Sequence, residues 1–171
     1  PVLRLALEFR TVAHQPVATF TSCGPGSANL PVALGSALMD SSAFLAITGN
    51  VATQQFNRGP FQETGRHYQA DFTSVVRPYV KRSFQATRAE QLPLMLRQSF
   101  ALMRQGRPGP VHLDVPLNVF VERTDEAAVD PGLWRTGAIM RSAPTPADVD
   151  AAVGLLAAAE RPVVIAGHGV E

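Results

Sequence analysis

The stretch Val17-Ala18-Thr19-Phe20-Thr21-Ser22-Cys23-Gly24-Pro25-Gly26-Ser27-Ala28-Asn29-Leu30 decides the fold. Val17 to Ser22 is short, β-rich and bounded by turn residues, which reads as a strand. Cys23 to Asn29 carries the glycines and proline of a tight turn. Leu30, Leu34 and Leu38 then recur four apart, with Ala33 and Ala37 beside them, giving the apolar stripe of a helix. Pro31 fits that helix only in its first turn. A strand running through a turn into a helix is the repeating unit of an α/β sheet.

The same alternation continues outward. Ala43 to Thr48 reads as a second strand ending at Gly49-Asn50, and Tyr79 to Ala86 contains a third, more polar one. Pro110 to Val115 is a fourth, and Arg161 to Ala166, with Val163, Val164 and Ile165, a fifth. Nearly continuous apolar strands fit a parallel sheet covered on both faces. Leu92, Leu96 and Phe100, with Met95 and Met103, predict a helix; Thr87 and Glu90 resemble its capping box, and Pro93 predicts an irregular first turn. Thr145-Pro146-Ala147-Asp148 is a helix start, after which Val149, Val153 and Leu156 are expected to face a core. The expected class is therefore α/β, a doubly wound, mostly parallel sheet with helices on both faces, plus the start of a second α/β domain. The expected boundaries are 1–117 for the first domain, 118–144 for a linker without clear period, and 145–171 for the second.

Composition bounds the function. The 171 residues are 46% hydrophobic and 17% charged, an ordinary globular balance, and the net charge of +1 gives no case for nucleic acid or an acidic membrane. Arginine supplies almost all the positive charge, Lys81 being the only lysine. The single cysteine, Cys23, excludes an internal disulfide and fits a reducing, cytoplasmic setting. No apolar run reaches membrane-spanning length. The chain opens on Pro1 and closes just after a strand-like run, so it is expected to be a piece of something longer.

Three segments could carry chemistry. Residues 21–29 join a strand to a helix N-terminus, where glycines let a ligand approach the backbone. Gly49-Asn50-Val51 and Asn57-Arg58-Gly59-Pro60-Phe61-Gln62-Glu63 follow the second strand at its carboxyl end, where open α/β sheets bind ligands. Gly106-Arg107-Pro108-Gly109-Pro110-Val111-His112-Leu113-Asp114-Val115-Pro116 leads from a helix into a strand. Taken singly, these read equally as a tight turn, a surface loop with an anchoring aromatic, and a strand entry. Neither a GxGxxG fingerprint nor a GxxxxGK[ST] phosphate loop occurs, against a generic nucleotide-binding module. His14, His67, His112 and His168 lack paired ligand spacing, so no metal site is expected. His112 reads as a satisfied structural residue on its strand, and His67 as the histidine closest to the second loop.

In this order and spacing the segments resemble the acetolactate synthase and related decarboxylase family of thiamine-diphosphate-dependent enzymes. The resemblance rests on residues 24–29, Met39-Asp40-Ser41, Gly49-Asn50-Val51, Phe61-Gln62-Glu63, Lys81-Arg82-Ser83-Phe84 and residues 106–116. It implies that residues 1–117 are a pyrimidine-binding domain, lacking its N-terminal part, and that residue 145 onward opens the central domain. It implies decarboxylation or carboligation of a small 2-keto acid, the cofactor serving as electron sink. By motif, Gly24, Pro25, Gly26, Asn29 and Gln62 would bind the aminopyrimidine, with Gln62 at the reacting centre and Phe61 beside the substrate. Arg107 matches an arginine that contacts FAD in the flavin-dependent members. The family's Mg²⁺ ligands belong to a C-terminal domain, and its assembly is a homodimer or homotetramer.

The sequence departs from the pattern in three ways. The activating glutamate would fall just upstream of Pro1, and Glu8 does not sit in its context, so the isolated chain is expected to be inactive. Leu117 stands where acetolactate synthases carry a lysine. Cys23 replaces the usual serine and Asn50 the usual glutamine. The competing expectation is a non-catalytic paralogue that uses the domain for assembly or FAD binding.

Overall fold

The computed structural model describes residues 16–56, 58, 71–124, 132, 143–167 and 170. The chain divides into two units, Pro1–Ala138 and Ile139–Glu171.

In the first unit, β1 (Val17–Thr21), β2 (Phe44–Asn50), β3 (Arg82–Gln85) and β4 (Val111–Pro116) form one parallel sheet in the order β1-β2-β4-β3. These are the four strands expected within this stretch. Parallel neighbours need crossovers, and helices provide them. A short helix α1 (Pro25–Ala28) and then α2 (Leu30–Met39) connect β1 to β2. α3 (Phe72–Val76) precedes β3, and α4 (Leu92–Arg104) connects β3 to β4. Because successive side chains alternate across a strand, the sheet carries two cores. Phe44 and Ala46 of β2 pack with Leu30, Leu34 and Ala37 of α2 and Phe72 and Val76 of α3. Leu45 and Ile47 turn the other way and join Val111, Leu113, Val115, Phe84 and Met103 of α4. The sheet is thus covered on both faces, as a doubly wound fold requires.

Local expectations were met unevenly. Pro31 and Pro93 both lie in first turns, and α4 is preceded by a 3₁₀ turn over Ala89–Gln91, the irregularity that Pro93 announced. The partner of Thr87 is Gln91, not Glu90: the Gln91 Oε1 accepts from the Thr87 N–H at 2.9 Å and from its hydroxyl at 3.2 Å. The 3₁₀ turn shifts the reach of the cap by one residue. Met103 is buried and Leu92, Met95 and Leu96 pack against the same core, as expected, while Phe100 is exposed and Ser99 is buried beside it. Leu117–Phe120 forms a helix, α5, with Val119 buried in the sheet core.

In the second unit, α6 (Pro146–Ala158) starts at the capping box read from the sequence. Thr145 Oγ1 accepts from the Asp148 N–H at 3.2 Å, and Asp148 accepts from the Thr145 N–H at 3.2 Å. Val149, Val153 and Leu156 are exposed, contrary to expectation. The strand expected over 161–166 does not form, and Ile165 is 93% exposed. A strand needs a hydrogen-bonding neighbour, and an amphipathic helix needs a layer to cover it; the described residues of this unit supply neither.

Candidate functional site

All four strands point their carboxyl ends to one edge of the sheet, and the first segment sits there. Gly24 is buried with φ 62° and ψ −117°, a conformation that glycine adopts without strain. A Cβ on Gly26 would overlap Ser22 Oγ, so the turn closes on itself tightly. Ser27 Oγ donates to the Ser22 carbonyl at 2.7 Å and fixes this closure. Pro25 and Asn29 are exposed, and Asn29 Nδ2 donates to the Pro25 carbonyl at 3.0 Å. Gly49 of β2 lies beside the turn, an ideal Cβ there standing 3.5 Å from Cys23 N. The expected pocket residues Gly24, Pro25, Gly26 and Asn29 lie in one turn at the carboxyl edge of the sheet. Phe61, Gln62 and His67, with Glu8, lie outside the described residues.

Behind the turn lies a polar cluster that sequence reading missed. Asp114 is fully buried, and its two oxygens accept from three side chains. Thr48 Oγ1 donates to Oδ1 at 2.7 Å, while Asn50 Nδ2 and Gln85 Nε2 donate to Oδ2 at 2.7 and 2.8 Å. Only acceptors are asked of Asp114, which suits an ionised carboxylate. Burial pushes its pKa up, and the Asn50, Gln85 and Thr48 hydrogen bonds pull it back. Asn50 passes the arrangement on, because its Oδ1 accepts from the Val51 N–H at 2.8 Å. A little further on, the Thr53 N–H donates to Asn118 Oδ1 at 2.8 Å. The start of the second loop is thus tied to β4 and to α5, which follows it.

His112 completes the cluster. It is fully buried, stacks edge-on against Phe72 and bonds at both ring nitrogens. The Thr48 hydroxyl proton is committed to the bond it donates to Asp114, so Thr48 Oγ1 accepts from His112 Nε2–H at 2.9 Å. Nδ1 is then the acceptor for the Ser83 hydroxyl at 2.7 Å. Burial lowers the His112 pKa to about 4, in keeping with this neutral tautomer. His112 is the satisfied structural residue the sequence implied. That Thr48, Ser83, Gln85 and Asp114 form one cluster went unread because they lie on three strands and meet only through the parallel register.

Arg107 and Lys81 lie at the opposite edge. The Arg107 guanidinium donates to Ser41 Oγ at 2.8 Å and to the Met39 carbonyl at 2.7 Å, closing the end of α2. Lys81 Nζ donates to the carbonyls of Leu102, Gln105 and Arg107 at 2.5, 2.7 and 2.9 Å, closing the end of α4. Leu117 is exposed just after β4.

No family model matches the chain. Among curated proteins it is similar to the probable acetolactate synthase large subunit of Methanococcus aeolicus, 34% identical over 149 residues, covering 86% of this chain and 24% of that protein. The glyoxylate carboligase of Escherichia coli O157:H7 is 35% identical over 147 residues, covering 86% of this chain and 23% of that protein. The acetolactate synthase isozyme 3 large subunit of Escherichia coli K12 is 34% identical over 151 residues, covering 85% and 25%. The chain spans about a quarter of the length of the curated relatives it matches. With a third of the matched residues identical and the motif turns placed on a doubly wound parallel sheet, the chain belongs to the acetolactate synthase-like family of thiamine-diphosphate-dependent enzymes.

Proposed function

We propose that residues 1–117 hold the aminopyrimidine of thiamine diphosphate in an enzyme that decarboxylates or carboligates a small 2-keto acid. The observation that carries this reading is the turn over residues 24–29. It is glycine-built, lies at the carboxyl edge of the sheet, and exposes the Pro25 ring and the Asn29 amide. A flat heteroaromatic ring with amide-like nitrogens fits such a surface: backbone close by, an apolar ring to lie against, and an amide to bond. Thiamine diphosphate, when bound, supplies the electron sink that a 2-keto acid needs to lose CO₂. The chain's own contribution is position. On this reading Gly24 and Gly26 keep side chains away from the ligand, and Asn29 orients it. By motif, Gln62 would meet the reacting centre and Phe61 would lie beside the substrate; both fall outside the described residues.

Mg²⁺ on this reading is bound by another domain, and the assembly is a homodimer or homotetramer in the cytoplasm. No helix among the described residues is long and apolar enough to cross a membrane. Residues 145–171 open the central domain, which would cover the exposed face of α6. A flavin contact by Arg107 would have to use the N–H groups that Ser41 and Met39 leave over.

The test is CO₂ release from a panel of 2-keto acids by the full-length protein, with and without thiamine diphosphate and Mg²⁺. Turnover that requires both is expected. A folded full-length protein that binds neither cofactor nor 2-keto acid would favour the non-catalytic assembly paralogue.

A further inference from the structure

Asp114 stands behind the proposed cofactor turn without reaching its surface. It is fully buried at the middle of the sheet, on β4, and touches β2 and β3 at once. Of its three partners, Asn50 alone continues toward the site. Asn50 Nδ2 is held by Asp114 Oδ2 at 2.7 Å, while Oδ1 of the same amide holds the Val51 N–H at 2.8 Å. A planar amide fixed at both ends cannot rotate, so the carboxylate on β4 sets the direction in which the chain leaves β2. That direction sets the course of residues 51–56, which follow β2. β2 also runs beside the turn, where Gly49 faces Cys23 and Thr21.

From this geometry we infer that Asp114 is a positioning residue: it acts through Asn50 to align the departure of β2 with the cofactor turn. The inference rests on the thiamine-diphosphate reading above. It makes a demand that general stability does not, because the Asp114–Asn50 pair is polar in a fixed direction. Two carboxylates at these positions would repel, whereas exchanging the two residues would restore the bond. After the exchange, the amide introduced on β4 donates to the carboxylate introduced on β2. The oxygen of that amide still accepts from Thr48, and Gln85 turns its own amide to present Oε1. The carboxylate on β2 still accepts from the Val51 N–H.

The experiment uses the full-length holoenzyme and four forms: wild type, Asn50→Asp, Asn50→Asp with Asp114→Asn, and Lys81→Met. The half-saturating concentration of thiamine diphosphate is measured for each, alongside kcat at saturation. Asn50→Asp is expected to raise half-saturation roughly tenfold or more, the scale on which supporting partners of a functional site act. The exchange is expected to return it to within about threefold of wild type, the departure from additivity that marks a directly coupled pair. Lys81→Met loosens the far edge and should leave half-saturation unchanged. If Asn50→Asp does not fold, Asn50→Ala replaces it, removing the bonds to Asp114 and to the Val51 N–H without adding a charge, with the same expected rise. Normal half-saturation in a folded single variant, or an exchange no better than the single, overturns the positioning role. A wild-type protein whose turnover ignores thiamine diphosphate overturns the functional reading and this inference together.

Discussion

The two edges of one sheet are built from the same strands but spend their polar groups differently. At the amino-terminal edge, Lys81 and Arg107 direct long cationic side chains onto the last carbonyls of α4 and α2. Such groups neutralise the negative ends of helix dipoles and satisfy orphan carbonyls, which is a structural task. The three N–H bonds of an ammonium are all used in the case of Lys81. At the carboxyl edge, the polar groups are short, buried and bonded to one another, and they end on backbone that leads outward: Val51 through Asn50, and Thr53 through Asn118. The first edge closes helices. The second holds loops in place for something else to meet.

The contrast can be broken most severely at Asp114. Asp114→Leu leaves the donors of Thr48, Asn50 and Gln85 without their acceptor inside the fold, and should cost about 3–5 kcal/mol, comparable to breaking a buried ionic pair. Urea unfolding checks this, and a loss under about 1 kcal/mol would mean that the cluster reorganises freely.

The next largest effect is pH dependence. Burial holds the folded His112 pKa near 4, below its ordinary 6.5, so the unfolded chain takes up the proton first as pH falls. The stability tied to neutral His112 is complete above pH 6.5 and is lost toward pH 4, by about 3 kcal/mol in all. Asp114 works in the other sense, since its raised pKa means that protonation relieves a burial cost. Comparing the urea midpoints of wild type and His112→Gln, both of which keep Asp114, isolates the histidine: wild type alone should show the steep fall across that window.

Gly24→Ala sharpens the comparison at the turn. A side chain at φ 62° should cost about 1–2 kcal/mol of stability and weaken thiamine diphosphate binding by more than that strain alone explains. Thermal midpoints and calorimetric affinity separate the two. The smallest effect belongs to the other edge. Lys81→Met should cost about 1 kcal/mol, read from the thermal midpoint, with cofactor affinity unchanged.

How far these edges were legible in the sequence follows from where their information lies. The four strands were read within a few residues because β-rich runs between turns are local signals. The turn at residues 24–29 was legible too, because Gly-Pro-Gly after a strand leaves few alternatives. His112 was read as structural from its place on an apolar strand. The Asp114 cluster was not, because Thr48, Asn50, Ser83, Gln85 and Asp114 are separated along the chain and meet only once β2, β4 and β3 take their register. The strand over 161–166 and the buried face of α6 failed for a related reason. Their patterns state what they would pack against, and that layer is not among the described residues of their unit. Gln91 displaced Glu90 as the Thr87 partner because an intervening 3₁₀ turn changes which residue comes round.

The most direct test of the account is hydrogen–deuterium exchange of the full-length protein with and without thiamine diphosphate and Mg²⁺. The account predicts slowed exchange over residues 23–30 and 51–53, with no change over residues 105–109 at the opposite edge. Protection confined to residues 105–109, or none anywhere in this chain despite bound cofactor, would contradict it.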